Sequence, residues 1–281
     1  MTDIYTQAAQ YVSERINDMP SIAVLTGTGL GTPTDGKEIE ERLPYRGIPH
    51  FPATVVRGHS GELVIRNNGT HRTAIFSGRL HYYEGHSIQD CGFPIHLMHA
   101  LGIKHIIMSN VSGSINPEMP QGSIAVIKDH INLMGVNPLR GLRGADGAIA
   151  FPEMRNAYAR EYHDELSAYV HQLSGSSELK TKAPLKEAVY AAFAGPSLET
   201  PQEYKMASVL GADLVGMSTV PEVIVAASYG MKCNVVSLVS NECFHESPEP
   251  TSIESVLQIA QDHRADVYKI IDHLVAQISQ S

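Results

Sequence analysis

Tryptophan is absent from this 281-residue chain, and cysteine occurs only three times, at Cys91, Cys233 and Cys243. So few thiols, with neither paired metal-ligand spacing nor an even framework, exclude a disulfide scaffold and fit a reducing cytoplasm. Long apolar runs are missing too. No stretch approaches the roughly 18 apolar residues of a membrane span. The opening Met-Thr-Asp-Ile-Tyr-Thr-Gln lacks the basic start and apolar run of a secretion signal. Positive charge is scarce, since 21 Lys and Arg against 30 Asp and Glu leave −9 with 14 histidines counted neutral. Such a balance argues against nucleic acid as a partner, so any anion site must be a local concentration of donors. Internal repeats and low-complexity linkers are also lacking, and residues 1–281 read as a single domain.

What is present is ordinary for a globular protein: 43% apolar and 18% charged residues. Short apolar runs alternate with helical patterns, which predicts an α/β fold. The expected strands are Ser21–Thr26, Glu62–Arg66, Arg72–Ser77, His105–Asn110, Ser123–Lys128, Val189–Ala194 and Asn234–Ser240. Several are nearly all apolar, as strands covered on both faces are. Helices are expected at Ile4–Ile16, Ile88–Leu101, Ala157–Gln172, Pro201–Leu210 and Pro221–Tyr229. A last helix opens on a Thr251/Glu254 capping box and carries a core stripe through Ile253, Val256, Leu257, Ala260, Val267, Ile271, Leu274 and Ile278. The glycine-rich stretch Met134–Met154 is either mobile or reaches a neighbouring subunit.

Gly78-Arg-Leu-His-Tyr-Tyr-Glu-Gly85 carries the most chemistry. In an extended chain Arg79, His81 and Tyr83 share one face, giving a forked cation, an imidazole and a phenol suited to phosphate beside a hydroxylated ring. Gly27-Thr28-Gly29-Leu30-Gly31 follows the first strand. Its alternate glycines, followed by Thr32-Pro33-Thr34, do not match a dinucleotide fingerprint. His59, in the loop Arg57–Gly61, can face an anion. Glu199 precedes a helix that Thr200 and Glu203 cap, with Pro201 at its first position. Thr219 and Glu222 suggest a second cap, with Ser218 just ahead of it, where free N–H groups favour an anion. Asn241 ends an apolar strand, and its amide can both donate and accept at a heterocycle edge. Taken singly, each has a plain reading: a half-buried strand, a tight turn, a surface histidine, a helix-dipole carboxylate, a turn asparagine.

Together, and in order along nearly the whole chain, these segments resemble the trimeric purine nucleoside phosphorylase family. The similar segments are Gly27–Gly31, Gly58-His59, Gly78–Gly85, Asn110–Gly113, Asp129–Leu133, Ala194–Thr200, Gly216–Glu222 and Asn241. The resemblance implies a mixed central sheet flanked by helices, and reversible phosphorolysis of a purine nucleoside to free base and ribose 1-phosphate. Inorganic phosphate is then a co-substrate, with no metal and no organic cofactor. By the same carry-over, Thr28, His59, Arg79, His81, Val111 and Ser218 hold phosphate, while Tyr83 and Met217 contact ribose. Leu198, Glu199 and Asn241 hold the base, and His81, Glu199 and Asn241 form the catalytic set. A cytoplasmic homotrimer is implied, with no membrane and no nucleic acid as partner. An amide at Asn241 favours 6-oxopurines such as inosine and guanosine over 6-aminopurines.

Several positions depart from the family pattern. Val111 is bulkier than the expected alanine and tightens the pocket. Leu198 replaces an aromatic, which weakens base packing. Ile253 lies where a histidine usually meets the ribose 5′-hydroxyl. Phe151 reads as a structural residue, so no subunit-crossing role falls to it. The competing readings are a methylthioadenosine or xanthosine phosphorylase, a catalytically silent purine-binding homologue, and a dinucleotide-dependent oxidoreductase.

Overall fold

The structure, a computed structural model, describes residues 3–32, 38–53, 61–144, 147–176, 179–181, 185–246 and 250–280. Among them the strands are β1 (Ile22–Thr26), β2 (Glu38–Pro44), β3 (Glu62–Asn67), β4 (Arg72–Ser77), β5 (His105–Ser114), β6 (Ile124–Asn132), β7 (Lys186–Ala192), β8 (Leu214–Gly216) and β9 (Lys232–Glu242). The helices are α1 (Ile4–Ser13), α2 (Ile88–Cys91), α3 (Phe93–Ala100), α4 (His163–Ser176), α5 (Pro201–Val209), α6 (Val220–Ser228) and α7 (Ile253–Gln280). The strands form one mixed sheet in the order β2-β3-β4-β1-β5-β8-β7-β6-β9. A further parallel pairing joins β5 to β9, so five strands close into a ring while β2 remains an open edge.

Strand alternation sorts the core into two layers. In β1, Ala23 and Leu25 pack on one face and Ile22 and Val24 on the other. The first layer takes in Ala8 and Val12 of α1, Leu97 of α3 and Val223 of α6. The second takes in Leu166 and Val170 of α4 with Val267, Ile271 and Leu274 of α7. Each fully buried aliphatic side chain contributes about 1.5–3 kcal/mol relative to exposure, and the sheet is covered on both faces as expected.

Local departures have local causes. The helix expected over Ile88–Leu101 breaks at Gly92, which ends α2 and starts α3 with proline in the first turn. A Cβ on Gly92 would stand 2.8 Å from Val225 Cγ2, so glycine is what lets this corner approach α6. The expected helix Ala157–Gln172 begins later: Tyr158 instead bridges to Cys233, a short 3-10 turn follows at Arg160–Tyr162, and α4 starts at His163. The strand expected at Val189–Ala194 runs earlier, over Lys186–Ala192. At the start of α7 the cap is Ser252 with Ser255, not Thr251 with Glu254: the Ser255 N–H donates to Ser252 Oγ at 3.1 Å. Phe151, read as a structural residue, is 90% exposed.

Candidate active site

The carboxyl ends of β1, β5 and β9 converge on one cavity. It is lined by Thr28, Arg79, His81, Tyr83, Val111, Leu198, Glu199, Met217, Ser218 and Asn241, with Asn110, Gly113, Tyr204, Cys243, Ile253 and Val256 beside them. Every residue singled out from the sequence is thus in one place, except His59, which lies outside the described residues.

One end of the cavity is built around a buried cation. Arg79 is 1% exposed and donates through Nη1 to Ser218 Oγ at 3.0 Å and Thr219 Oγ1 at 3.1 Å. Its Nε faces Glu222 Oε1 at 3.3 Å, a carboxylate equally buried. Its Nη2 is buried with no hydrogen-bond partner among the described residues, a donor suited to a ligand oxygen. The Thr219/Glu222 capping box expected from the sequence does not form: Thr219 makes no side-chain cap, and Glu222 faces Arg79. Thr219 instead adopts φ +72°, rare for a β-branched residue, and its Oγ1 also accepts from Asn110 Nδ2 at 2.8 Å. These two hydrogen bonds hold the turn that presents Ser218.

The octapeptide is only partly extended. His81 has strand-like angles, but Tyr82–Glu84 is a 3-10 turn ended by Gly85 at φ +95°. Tyr83 therefore reaches the cavity by turning back, with its ring stacked on His81 at 4.7 Å between centroids. Burial pushes the Tyr83 hydroxyl up to about 12, so the phenol is a neutral hydrogen-bonding group. Glu84 accepts from the His81 backbone N–H at 2.8 Å and lies 3.0 Å from Nδ1, which orients the imidazole.

The other end is built for a planar edge. Asn241 donates through Nδ2 to Cys243 Sγ at 2.9 Å, and its Oδ1 accepts from Ser240 Oγ at 2.8 Å. Glu199 projects from the loop after β7. Burial raises its carboxyl above the usual range, while a backbone N–H and the Tyr204 hydroxyl oppose that rise. Its Oε1 is buried without a hydrogen-bond partner among the described residues. Burial likewise pushes the Cys243 thiol up to about 11. Leu198 is 52% exposed at the cavity mouth. Ile253 and Val256, expected in the core stripe of α7, line the cavity instead, with Ile253 64% exposed.

Such a cavity can hold an anion at one end and hydrogen-bond a heterocycle at the other, with Tyr83 and Met217 also on its wall. Glu84, Asn110, Thr219, Glu222, Tyr204 and Cys243 also stand at the site, though the sequence pattern gave none of them a role there. Two left a usable trace: Glu84 lies inside the octapeptide, and Cys243 stands two residues beyond Asn241, where a continuing strand repeats its face. Among the described residues no cluster of three or more His, Cys, Asp or Glu is arranged to hold a metal ion.

A family model described as "Phosphorylase superfamily" matches residues 21–276. "Purine nucleoside phosphorylase 1" of Bacillus subtilis (strain 168) is 36% identical over 277 residues, covering 99% of this chain and 99% of that one. "Purine nucleoside phosphorylase" of Mus musculus is 36% identical over 241 residues, covering 85% of this chain and 81% of the relative. Among solved structures, isoform 2 of purine nucleoside phosphorylase from Schistosoma mansoni, with cytosine and ribose-1-phosphate, superposes with a TM-score of 0.84. It is 35% identical and covers 97% of this chain and 95% of that one.

Proposed function

This chain belongs to the phosphorylase superfamily, among its purine nucleoside phosphorylases and hence pentosyltransferase-type enzymes, and from that premise we propose phosphorolysis of 6-oxopurine nucleosides. Inosine, guanosine and their deoxy forms are the substrates of this reading, giving base and (deoxy)ribose 1-phosphate. The observation that carries it is the pairing, in one cavity, of the Arg79–Ser218 cluster with the Glu199–Asn241 pair.

The chemistry asked of that cavity is specific. The bond from sugar carbon to base nitrogen breaks and its electron pair leaves on the purine. A phosphate oxygen then bonds the same carbon, which is oxocarbenium-like in between. Arg79 Nη2, His81, Ser218 and Thr28 position the phosphate, aided by the backbone at Val111 and, by resemblance, by His59. The bound phosphate's own charge favours the cationic sugar. Tyr83 and Met217 contact the ribose. Leu198 packs on the base and Glu199 accepts from N1–H. Asn241 donates to O6, and that bond strengthens as negative charge reaches the base; the departing base takes a proton from solvent at N7, and Asn241 Oδ1 accepts from that N–H. No electron transfer occurs, and the roles assigned ask for no metal or organic cofactor.

A homotrimer serving cytoplasmic purine salvage completes the reading. The three cysteines, all buried and free, fit a reducing compartment. The described residues contain no helix long and apolar enough to cross a membrane. Light scattering tests the assembly. The activity is tested by incubating inosine, guanosine, xanthosine, adenosine and methylthioadenosine with and without phosphate. Phosphate-dependent cleavage of inosine and guanosine is expected, and rapid cleavage of methylthioadenosine alone overturns the reading. Apolar Ile253 and Val256 in the cavity wall are the reason to keep a 5′-substituted nucleoside in the panel.

A further inference from the structure

β7 supplies one more group to the Arg79 end, from behind the cavity wall. In the parallel pairing of β7 with β8, Tyr190 stands opposite Leu214 and Ala192 opposite Gly216. Alternate residues of a strand share a face, so Tyr190 and Gly216 belong to the same side of the sheet. A long side chain that leans along its strand can then reach over a glycine. Tyr190 does so: it is fully buried, and a Cβ on Gly216 would stand 2.2 Å from its Oη and 3.0 Å from its Cζ. The same Oη accepts from the Ser218 backbone N–H at 3.4 Å. Gly216 has no left-handed backbone angle, so space rather than conformation calls for glycine there. The residue between is gripped as well, since a Cβ on Gly195 would stand 2.5 Å from Met217 Sδ. Burial pushes the Tyr190 hydroxyl up to about 12, which keeps it a neutral phenol.

We propose that Tyr190 is a positioning residue of the phosphate end: its buried hydroxyl is the stop against which the Gly216–Ser218 turn rests, and it thereby fixes where Ser218 stands beside Arg79. The inference rests on the phosphorolysis reading of this cavity. Gly216 ends β8, and Met217, Ser218 and Thr219 lead directly into α6. Arg79 and Asn110 hold the far end of that turn, through Ser218 Oγ and Thr219 Oγ1. The Tyr190 hydroxyl meets its near end at two residues, Gly216 and Ser218. Held so, Ser218 has one hydrogen to offer. Thr219 Oγ1 already accepts from Arg79 and Asn110, so across its 3.2 Å contact with Ser218 Oγ it is the donor. The Ser218 hydroxyl hydrogen is then left for an anion, and its aim depends on the backbone that Tyr190 supports.

The test uses the full-length protein with Tyr190→Phe, Gly216→Ala and the two combined. Tyr190→Phe keeps the ring and loses only the hydroxyl. It should raise the KM for phosphate about tenfold and leave the ratio of inosine to adenosine cleavage unchanged, because the base end is untouched. Gly216→Ala drives a methyl into Oη and should lower kcat/KM about a hundredfold. In the double variant the nearest ring atom to that methyl is Cζ, at 3.0 Å instead of 2.2 Å. It should therefore regain about tenfold over Gly216→Ala, although Tyr190→Phe alone is a loss. Independent effects cannot reverse sign in that way. An unchanged phosphate KM in Tyr190→Phe overturns the proposal, and so does a double variant no better than Gly216→Ala. If Gly216→Ala fails to fold, a folded double variant supports the pairing. If both fail, the phosphate KM of Tyr190→Phe decides. If the unmodified protein shows no phosphate-dependent cleavage, the phosphorolysis reading itself fails. The contact is then judged by thermal melts of Tyr190→Phe and the double variant against the unmodified protein and Gly216→Ala, where additive losses refute it.

Discussion

The two ends of the cavity are organised on opposite principles. The Arg79 end is anchored by a buried ion pair, two donated hydrogen bonds and a threonine held at φ +72°. Among the described residues the Asn241 end has no formal cation: it is an amide, a thiol, a phenol and one carboxyl, rimmed by half-exposed Leu198 and exposed Ile253. A rigid charged pocket suits a ligand that never varies. A hydrogen-bonded wall is cheaper to retune, since exchanging one uncharged donor for an acceptor changes what it reads without stranding the partner of a buried ion pair. Specificity should therefore be movable at one end and binding strength at the other.

Arg79→Ala tests the rigid end and should have the largest effect. It leaves Glu222 buried and unpaired, costing about 3–5 kcal/mol of stability, and should raise the KM for phosphate about a hundredfold. Thermal melts and phosphate saturation curves measure the two, and an unchanged phosphate dependence removes the anion assignment. Asn241→Asp should follow in size, shifting preference toward 6-aminopurines by about ten- to a hundredfold; intact inosine activity would refute the base-edge role. Next is pH. The Glu199 carboxyl, raised by burial, holds its proton more tightly folded than unfolded. Its contribution to stability is therefore largest below its unfolded value and is lost as pH rises through its raised folded value. Activity that needs the carboxylate climbs across the same window. Glu199→Gln should flatten the stability slope and abolish that activity limb, and parallel slopes in both proteins would contradict it. The smallest change is expected from Leu198→Phe, which adds ring surface at the mouth and should tighten inosine about threefold. A wholly unchanged KM would mean Leu198 does not meet the base.

The sequence shows the glycine-bounded octapeptide, the Thr200 cap and the apolar strands plainly, because each is a local pattern. What stayed hidden depends on partners far along the chain. Thr219-x-x-Glu222 spells the same cap as Thr200-x-x-Glu203, yet Arg79, distant in sequence, takes both side chains. β8 spans only Leu214–Gly216, too short to show alternation. β2 is an edge strand with Glu40 paired to Arg72, and its charges mask a strand pattern. Ile253 and Val256, in the first turn of α7, continue the stripe of its core, yet they line the cavity. Periodicity reports a shared face and is silent on what that face meets.

The closed ring has a consequence in time as well as space. β5 aligns His105 with Ile22 on one side and with Lys232 on the other, and the ring shuts only when β9 slots between β5 and β6. β9 also carries Asn241. On a ribosome the Arg79 segment emerges long before the strand that completes the wall facing it, and such distant pairings form slowly. The newborn chain thus holds half a cavity, and its capacity to read a base arrives with the last strand.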